Sequence, residues 1–373
     1  MTDLITREIE IGNNERINVN LNQPVARYSK NPILKPTDVN KIWKNPAYQV
    51  KTVHNAGITI LNEETIMLFR SHLRSGISIL GLATSKSGID NWKIHPEPVF
   101  KPATPNDSFA EGADGDQIIE NESGGVEDPR ITKIDGVYAI TYSAYHAHKK
   151  DHVRVSLATT TDFKSFIRYG AMLDRDMRNV VIFPEKIGNK YVALFRLNEK
   201  SEIQIRGMFT QIRIAYSDDW KSNNWDLADE PIMQTGGGPS AFSNKIGPGA
   251  PPIKTERGWI SIFHGVRTTM DGNPYVLGVA LHDLQDLARV KMSSVPILFP
   301  SAADCRVAED DYIHVPNVVF TCGAIRKSDG TIYIYYGGND TVMNLGISHE
   351  DVLCTLCEEY SQDTISGRLL YNI

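Results

Sequence analysis

The chain has 373 residues and a formal net charge of −6, and no run of lysine and arginine in it could follow a nucleic-acid backbone. Its apolar stretches are too short to span a membrane, and its start lacks the basic-then-apolar order of a signal peptide. Its four cysteines do not resemble a secreted disulfide framework, so the composition predicts a soluble, cytoplasmic protein that binds neither nucleic acid nor membranes.

The N-terminal part of the chain is expected to be an extension, covering residues 1–45. Pro24, Pro32 and Pro36 interrupt regular structure there. The extension is predicted to pack on the rest of the chain or on a partner subunit. Residues 46–373 are assigned to a single catalytic domain.

A strand, a turn and an aromatic-rich strand recur five times after residue 50, which predicts a repeat architecture built from hairpins. The repeats cover residues 50–95, 125–170, 178–230, 245–292 and 315–350. Their second strands are MLFRSH around Arg70, YAITYSAY around Tyr142, YVALFR ending at Arg196, WISIFHG ending at His264 and Gly265, and IYIYYGG ending at Gly338. The turns before them are Asn62-Glu63, Asp135-Gly136, Gly188-Asn189, Arg257-Gly258 and Asp329-Gly330.

The third strands of three repeats share their wording, since LGLATSKSGIDNW, RVSLATTTDFKSF and IRIAYSDDWKSNNW follow one pattern. Five such units that close on themselves predict an all-β fold, a five-bladed β-propeller with an N-terminal extension and a short C-terminal helix. A β-sandwich is the competing architecture, but it would not need the same sequence pattern in each unit.

Two stretches interrupt the repeats. Residues 101–124 are acidic and lack periodicity, so they form either a solvated loop or a lid over a binding face, and the sequence leaves both open. Residues 234–250 are rich in glycine and proline, which allows the backbone to approach a ligand closely or simply to connect two units.

Two groups of histidine and cysteine residues could in principle bind a metal, but neither is expected to do so. His146, His148 and His152 fall in a charged hairpin tip and are expected to form a solvated turn. Cys354 and Cys357 form a lone CxxC in a predicted helix capped by Ser348, and they are expected to be buried helix cysteines. No metal site is predicted.

The motif GGVEDPR, at residues 124–130, carries the best candidate for acid catalysis. Because side chains alternate along a strand, Glu127 and Asp128 are expected to point to opposite faces, so only one faces the centre of the fold. Pro129 is expected to hold Asp128 in an extended conformation. A lone carboxylate in a strand is more often a structural hydrogen-bond acceptor.

Basic residues form the second group of candidates. Arg70, Arg196 and His264 occupy comparable places in three repeats, and they are therefore expected to converge at one rim of the fold. With Arg178, Asn179 and Lys245 they would suit phosphate or another compact oxyanion. In the alternative interpretation each cation pairs with a buried acid such as Glu185 or Asp340.

This combination favours phosphate as a nucleophile. Inverting hydrolysis of a glycosidic bond usually needs two carboxylates, one of which activates water. Phosphate arrives already charged, so the protein then needs one acid and a cationic cradle. The sequence contains one good carboxylate and such a cradle.

From Asn55 to Asp340 the chain resembles glycoside hydrolase family 130, the β-mannoside phosphorylases, whose fold is a five-bladed propeller. The motifs that carry the resemblance are VHNAG at 53–57, MLFR ending at Arg70, GGVEDPR at 124–130, RNVVIFPEK at 178–186, YVALFR at 191–196, KIGPGAPPIKTERGW at 245–259, FHGV at 263–266 and YYGGND at 335–340.

The resemblance implies inverting phosphorolysis, with inorganic phosphate as co-substrate and no cofactor, giving α-mannose 1-phosphate and a shortened sugar. Asp128 would be the proton donor, acting through the mannosyl 3-hydroxyl. The extension would serve subunit contacts in a homo-oligomer. The residues implied to bind phosphate are Arg178, Asn179, Arg196, Lys245 and His264, and those implied to bind the sugar are Asn55, Arg70, Arg130 and Asp340.

Two alternatives and the linkage stay open. The family also contains hydrolases, and an inverting β-mannosidase would use Asp128 as acid and Glu185 or another glutamate as base. A non-catalytic carbohydrate-binding propeller is the third interpretation. The substrate linkage, β-1,2 or β-1,4, and the acceptor sugar depend on loops, chiefly 101–124 and 267–275, with manno-oligosaccharides slightly favoured over mannosyl-glucose.

Overall fold

A computed structural model describes residues 5–12, 15–150, 152–198, 210–236, 240–270, 272–305 and 313–370. Within these ranges the protein is mostly β, with 26 strands and three short α-helices. No helix in these ranges is long and apolar enough to cross a membrane.

The N-terminal segment forms a hairpin, one further strand and a helix. These are β1 (Thr6–Ile11), β2 (Glu15–Asn20), β3 (Ala26–Arg27) and α1 (Pro36–Ile42). Pro36 stands at the first helical position, where its fixed φ and missing N–H suit a helix start, so it begins a helix instead of only interrupting structure. β3 pairs with a strand near the C-terminus, and the sheet there extends across the expected boundary at residue 46.

Five antiparallel units follow one another along the chain. The first two share one nine-stranded sheet, in which a single parallel pairing of Ser78 with Gly125 joins them. Their elements are β4 (His54–Leu61), β5 (Glu64–His72), β6 (Ser78–Ser85), β7 (Lys93–Ile94), β8 (Ser108–Phe109), α2 (Gly115–Glu122), β9 (Gly125–Ile134), β10 (Val137–Tyr145), β11 (Val153–Thr160) and β12 (Ile167–Ala171).

The other three units form separate sheets. The third contains β13 (Met177–Ile182), β14 (Tyr191–Leu197), β15 (Gln211–Ser217), β16 (Asp226–Leu227) and β17 (Met233–Gln234). The fourth contains β18 (Lys245–Pro248), β19 (Ile253–Thr255), β20 (Gly258–Val266), β21 (Tyr275–His282), β22 (Val290–Ser293) and β26 (Ser361–Gln362). The fifth contains β23 (Val319–Arg326), β24 (Thr331–Gly338) and β25 (Val342–His349), with β3 as its outer strand, and α3 (Glu350–Glu359) follows it.

Turn chemistry places the hairpins where the repeats predict them. Asn62 and Glu63 both adopt positive φ, 49° and 65°, between β4 and β5. Asp135 and Gly136 do the same, with φ of 50° and 81°, between β9 and β10. Two central residues at positive φ match the right-handed twist of the flanking strands, which explains these tight two-residue connections.

The first strands of the units contact one another around the middle of the molecule. β4 packs against β9 and β23, and β13 packs against β9 and β18, while β20 and β21 pack against β23. Strands β20, β24 and β25 are buried at every position, because both of their faces are covered. The ends of the first and second strands therefore come together from all five units.

Residues 101–124 pack on the second unit through a buried ion pair. Arg168 Nη1 donates to Glu122 Oε2 at 2.5 Å, and the Tyr142 hydroxyl donates to Glu122 Oε1 at 2.5 Å. β8 pairs in parallel with β12, so this stretch also extends the sheet. Buried charge and sheet pairing anchor residues 101–124 along the outer edge of the unit.

The hairpin tip at residues 146–152 docks on α2, so the expected solvated turn is wrong for part of it. His146 is buried, and its Nε2 lies 2.9 Å from Glu120 Oε1, while His152 Nε2 lies 3.0 Å from Asn121 Oδ1. His148 is exposed, as expected. The charged helix, which periodicity does not reveal in the sequence, supplies partners for the histidines.

At the C-terminal helix one prediction is confirmed and one is wrong. Cys354 and Cys357 are buried and unbridged on α3, and burial raises the pKa of Cys354 to about 11. The cap is His349, whose Nδ1 accepts from Asp351 N at 3.1 Å, and not Ser348. The Ser348 hydroxyl instead donates to the Pro24 carbonyl at 2.6 Å, because β25 continues one residue further than expected.

We expect Glu122→Gln to lower the free energy of unfolding by about 3 kcal/mol, because the Arg168 charge then stays buried without its main partner. Urea unfolding followed by circular dichroism measures this. Lys190→Met is the control, since its ion pair with Asp218 is exposed and should contribute almost nothing. Equal effects of the two substitutions would contradict the role of the buried pair.

Candidate active site

Three first strands carry a β-bulge at the same place, and each bulge contains a residue at positive φ. These residues are Asn55 in β4, Asp128 in β9 and Asn179 in β13, with φ of 48°, 50° and 58°. The register shifts at each of them against the neighbouring second strand. Asn and Asp tolerate the left-handed region better than other side chains, and a bulge re-aims the side chain it carries.

The bulge at Asp128 overturns two expectations. Asp128 is left-handed and not extended, in spite of the following Pro129. The bulge also cancels the alternation of side chains, so Glu127 and Asp128 both reach Arg70. Arg70 Nη2 donates to Glu127 Oε1 at 2.6 Å, and Nη1 donates to Asp128 Oδ1 at 2.9 Å.

Glu127, Asp128 and Asp340 form what we call the carboxylate cluster, arranged around Arg70. Asn55 Nδ2 donates to Asp128 Oδ1 at 3.1 Å and also interacts with Asp340. The Ser78 hydroxyl donates to Glu127 Oε1 at 2.8 Å. Thus Arg70 is ion-paired and belongs with the acids, although its place in the repeat matches those of Arg196 and His264.

The three carboxyl groups differ in acidity. Burial raises the pKa of Asp340 to about 6, and the charges of Asp128 and Glu127 add to the rise. Burial and the Asp128 charge likewise raise the pKa of Glu127. Burial acts upwards on Asp128 too, but Arg70 and Arg130 outweigh it and hold the pKa of that carboxyl below its usual value.

Arg178, Arg196, Lys245 and His264 form a second group, the cation cluster. Arg178 and Arg196 lie directly opposite each other on β13 and β14, and His264 lies opposite Gly247 on β20 and β18. A Cβ at Gly247 would lie 2.5 Å from His264 Cε1, so only glycine allows this approach. In the described ranges no carboxylate forms an ion pair or hydrogen bond with any member of the cluster.

Burial and like charges lower the pKa values of Arg196, Lys245 and His264. Burial, Arg178 and Arg130 lower the pKa of Arg196 to about 10. Burial, Arg196 and Arg178 lower the pKa of Lys245 to about 7. Burial and the neighbouring cations also hold the pKa of His264 well below its usual value.

Several polar nitrogens of the cation cluster have no partner among the described residues. Arg178 Nε, Arg196 Nε and both ring nitrogens of His264 are buried without a hydrogen bond to this part of the chain. Buried donors that lack a partner are costly, and close cations repel one another. An oxyanion held between them would remove both costs, so the arrangement fits a compact anion such as phosphate.

Arg130 and Asn179 hold the two clusters in place. Arg130 Nε donates to the Gly249 carbonyl at 2.9 Å, Nη1 to the Asp128 carbonyl at 2.8 Å and Nη2 to Asn179 Oδ1 at 2.9 Å. These donors face protein groups from three units, and Arg130 is buried. Arg130 therefore links the bulges at Asp128 and Asn179 to the fourth unit, and its implied contact with the sugar stays a prediction.

Sequence reasoning missed several residues of the site. Tyr275 accepts from Lys245 Nζ at 2.9 Å, and Arg178 lies 4.9 Å from the centre of the Tyr145 ring. His72 accepts from Arg70 Nη2 at 2.8 Å. Tyr145, His72 and Tyr275 lie at strand ends. The Asn or Asp residue of each bulge is the sequence signal that could have located these ends.

The expected base of a hydrolase lies elsewhere. Glu185 is half-exposed and pairs with Lys254 at 2.5 Å, on the side of β19. Neither residue has a contact with the cation cluster in the described part of the chain.

A model of glycoside hydrolase family 130, described as beta-1,4-mannooligosaccharide phosphorylase, matches residues 23–359. The chain belongs to glycoside hydrolase family 130. Family members similar to it include the 1,2-beta-oligomannan phosphorylase of Thermoanaerobacter sp. (strain X514), which is 34 % identical and matches over 87 % of this chain and 96 % of its own length. The 4-O-beta-D-mannosyl-D-glucose phosphorylase of Bacteroides fragilis is 28 % identical, over 91 % of this chain and 82 % of its own length.

A solved phosphorylase structure has the same fold. It is the beta-1,2-mannobiose phosphorylase from Listeria innocua in complex with beta-1,2-mannobiose, with a TM-score of 0.73 and 28 % identity. The match covers 90 % of this chain and 99 % of that one. A glycosyl hydrolase from Bacteroides ovatus, at 22 % identity and a TM-score of 0.70 over 87 % of this chain and 93 % of its own, supports the fold alone.

We expect Lys245→Met to flatten the pH dependence of stability. The folded protein releases the Lys245 proton near pH 7, whereas the unfolded chain keeps it up to the ordinary value of 10.5. Between these values the unfolded chain binds more protons, so this group makes wild-type stability rise with pH. The increase in the free energy of unfolding that Lys245→Met causes should therefore be largest near pH 6 and shrink towards about pH 9.5.

Urea unfolding of both proteins at the two pH values, without phosphate, measures the effect. Lys190→Met is the control, because Lys190 is exposed. If the free energies of unfolding of wild type and Lys245→Met differ by the same amount across this pH range, the pKa of Lys245 is not lowered in the folded protein.

Proposed function

We propose that this protein catalyses the inverting phosphorolysis of β-linked manno-oligosaccharides, giving α-mannose 1-phosphate and a shortened sugar. The observation that carries the proposal is the cation cluster, four basic side chains that no described carboxylate neutralises. Arg196 and His264 in it are buried, Arg178 and Lys245 are partly buried, and the neighbouring Asp128 side chain is 15 % exposed. The phosphorylases named among the family relatives support the same reaction type. Phosphate is the co-substrate, and no cofactor is needed.

We also propose that the five units close into a five-bladed propeller around the site. Two observations support this: first strands of neighbouring units pack on each other, and β3 completes the fifth sheet as its outer strand. Closure by an N-terminal strand protects the sheet edges and brings the ends of five units to one rim.

Asp128 is the proposed proton donor. In the reaction a phosphate oxygen attacks the anomeric carbon while the bond to the leaving oxygen breaks. The proton passes from Asp128 to the mannosyl 3-hydroxyl, whose own proton moves to the leaving oxygen. Arg70 and Arg130 keep the pKa of Asp128 low, and bound phosphate opposes them with negative charge, so phosphate binding raises that pKa towards the protonated state.

The remaining side chains divide between the two substrates. Arg178, Arg196, Lys245 and His264, with Asn179 beside them, bind phosphate and stabilise its charge as the bond forms. Asn55, Arg70 and Asp340 surround Asp128 and hold the mannosyl ring. Arg70 uses most of its donors within the protein, so its main effect on the sugar is to orient the carboxylates that accept from hydroxyl groups.

For the linkage we propose β-1,2. Three relatives between 29 % and 34 % identical carry names that specify β-1,2-linked substrates, whereas the two named for 4-O-linked mannosyl-glucose and β-1,4-linked manno-oligosaccharides are 28 % and 27 % identical. The solved family structure with a TM-score of 0.73 contains beta-1,2-mannobiose.

A hydrolase would need a base on the face where water attacks. In the proposed arrangement the cation cluster takes that face, and Glu185 pairs with Lys254 instead. A purely carbohydrate-binding protein would leave the donors of His264, Arg178 and Arg196 buried without a partner.

Incubation of the protein with β-1,2- and β-1,4-mannobiose, with and without inorganic phosphate, tests the activity. We expect mannose 1-phosphate only when phosphate is present, and faster from the β-1,2 substrate. Free mannose at a rate indifferent to phosphate would make the protein a hydrolase. Faster turnover of the β-1,4 substrate would overturn only the linkage.

Separate substitutions test the two clusters. Asp128→Asn should abolish turnover with little loss of stability, since the amide keeps the size of the side chain. Arg196→Ala should reduce phosphorolysis by about 10²-fold or more and raise the phosphate KM, because charged contacts to the reacting group are lost. Substantial activity in Asp128→Asn, or an unchanged phosphate KM in Arg196→Ala, would contradict the assigned roles.

A further inference from the structure

Three members of the cation cluster contact neutral side chains. Arg178 lies over the Tyr145 ring, Lys245 donates to the Tyr275 hydroxyl, and Arg196 Nη2 donates to Asn198 Oδ1 at 3.1 Å. For Arg196 the neutral partner is informative, because that partner, Asn198, itself binds a carboxylate. Asp176 is one hydrogen bond beyond Asn198.

The orientation of the Asn198 amide follows from its two partners. Asn198 Nδ2 donates to Asp176 Oδ2 at 3.2 Å, and a carboxylate can only accept. The amide oxygen must therefore face Arg196, which can only donate. The backbone N–H of Asn198 also donates to the Asp176 carbonyl at 2.9 Å, so the two residues are joined twice.

Asp176 is itself fixed from the neighbouring unit. Its Oδ1 accepts from the Val153 N–H at 3.0 Å, at the start of β11. With both oxygens engaged, this nearly buried carboxylate stays turned away from Arg196. A chain of hydrogen bonds thus runs from the second unit through Asp176 and Asn198 to the guanidinium.

We propose that Asn198 is a positioning residue for phosphate, whose neutral amide orients Arg196 and keeps the Asp176 carboxylate from pairing with it. The inference rests on the proposed function. A carboxylate in direct contact would form a charge-assisted, two-pronged pair with Arg196, and phosphate would then have to displace it. The amide holds the same geometry but leaves the positive charge to the ligand.

The charge balance of Arg196 agrees with this. Burial, together with repulsion from Arg178 and Arg130, outweighs the attraction of Tyr275 and Asp176, so the pKa of Arg196 stays below its usual value even with the carboxylate two hydrogen bonds away. Within the described ranges Arg196 Nε also has no protein partner. The side chain is held in place without being neutralised.

The test exchanges the two polar groups. The double variant Asp176→Asn/Asn198→Asp contains the same atoms and charges as wild type but places the carboxylate next to Arg196. Asp176→Asn alone is the matched control, because it keeps the Asn198 amide. Phosphate KM, mannobiose KM and kcat are measured for both, with mannose 1-phosphate as product.

We expect the phosphate KM of the exchanged variant to be at least about tenfold higher than that of Asp176→Asn, with the mannobiose KM within about threefold. A general structural defect would change both KM values together. Equal phosphate KM values in the two variants would overturn the proposal, as would parallel changes in both substrates.

A second pair of variants covers the case in which the exchanged protein does not fold. Asn198→Ala removes the orienting contact only, whereas Asn198→Asp adds a charge beside Arg196. Titration calorimetry with inorganic phosphate should show weaker binding to Asn198→Asp than to Asn198→Ala, and equal or tighter binding would overturn the proposal. Calorimetry needs no turnover, so a wild-type protein that forms no mannose 1-phosphate yet binds phosphate refutes the proposed function alone.

Discussion

Repulsion between Arg178 and Arg196 is the constraint around which this site is organised. The two guanidinium groups stand opposite each other on adjacent strands, where like charges destabilise a sheet, and burial strengthens the effect. The protein could have relieved it with a carboxylate, yet the Asn198 amide separates Arg196 from Asp176. The acids are instead collected around Arg70, which engages two of them directly. Separating the acids from these cations leaves a positively charged region, which favours the binding of an anion.

Segregation requires that neighbouring strands aim their side chains accurately, and the bulges at Asn55, Asp128 and Asn179 achieve this. Each replaces the ordinary alternation of a strand with a side chain that points along the rim. Arg130 then links the Asp128 carbonyl, Asn179 and the Gly249 carbonyl, so three units share one buried guanidinium. The relative position of Asp128 and Asn179 therefore depends on packing inside the protein.

Much of this could be predicted from the sequence, and the limits have physical reasons. Hairpins at Asn62-Glu63 and Asp135-Gly136 were predictable because turn conformation is local. The proximity of Arg196 and His264 was predictable because their positions in the repeats match, but the same argument misplaced Arg70, which pairs with acids. The convergence of Glu127 with Asp128 was not predictable, because a bulge breaks the period of two on which strand reasoning depends. The bracing role of Arg130 and the docking of His146 on α2 depend on contacts between residues distant in sequence, which no local pattern records.

The pairing of β3 with β25 has a consequence for biosynthesis. Ala26 leaves the ribosome roughly 320 residues before its partner Ile347, which at about 5 to 20 residues per second is a wait of about 15 to 60 s. During that time the first strands of the chain can form hairpins, but the seam of the last sheet stays open. Asn31 and Ser348, which bond across the same seam, are then among the final contacts to form. The last sheet can thus be completed only after β25 has been synthesised, and a nascent chain stalled before β25 keeps an exposed sheet edge.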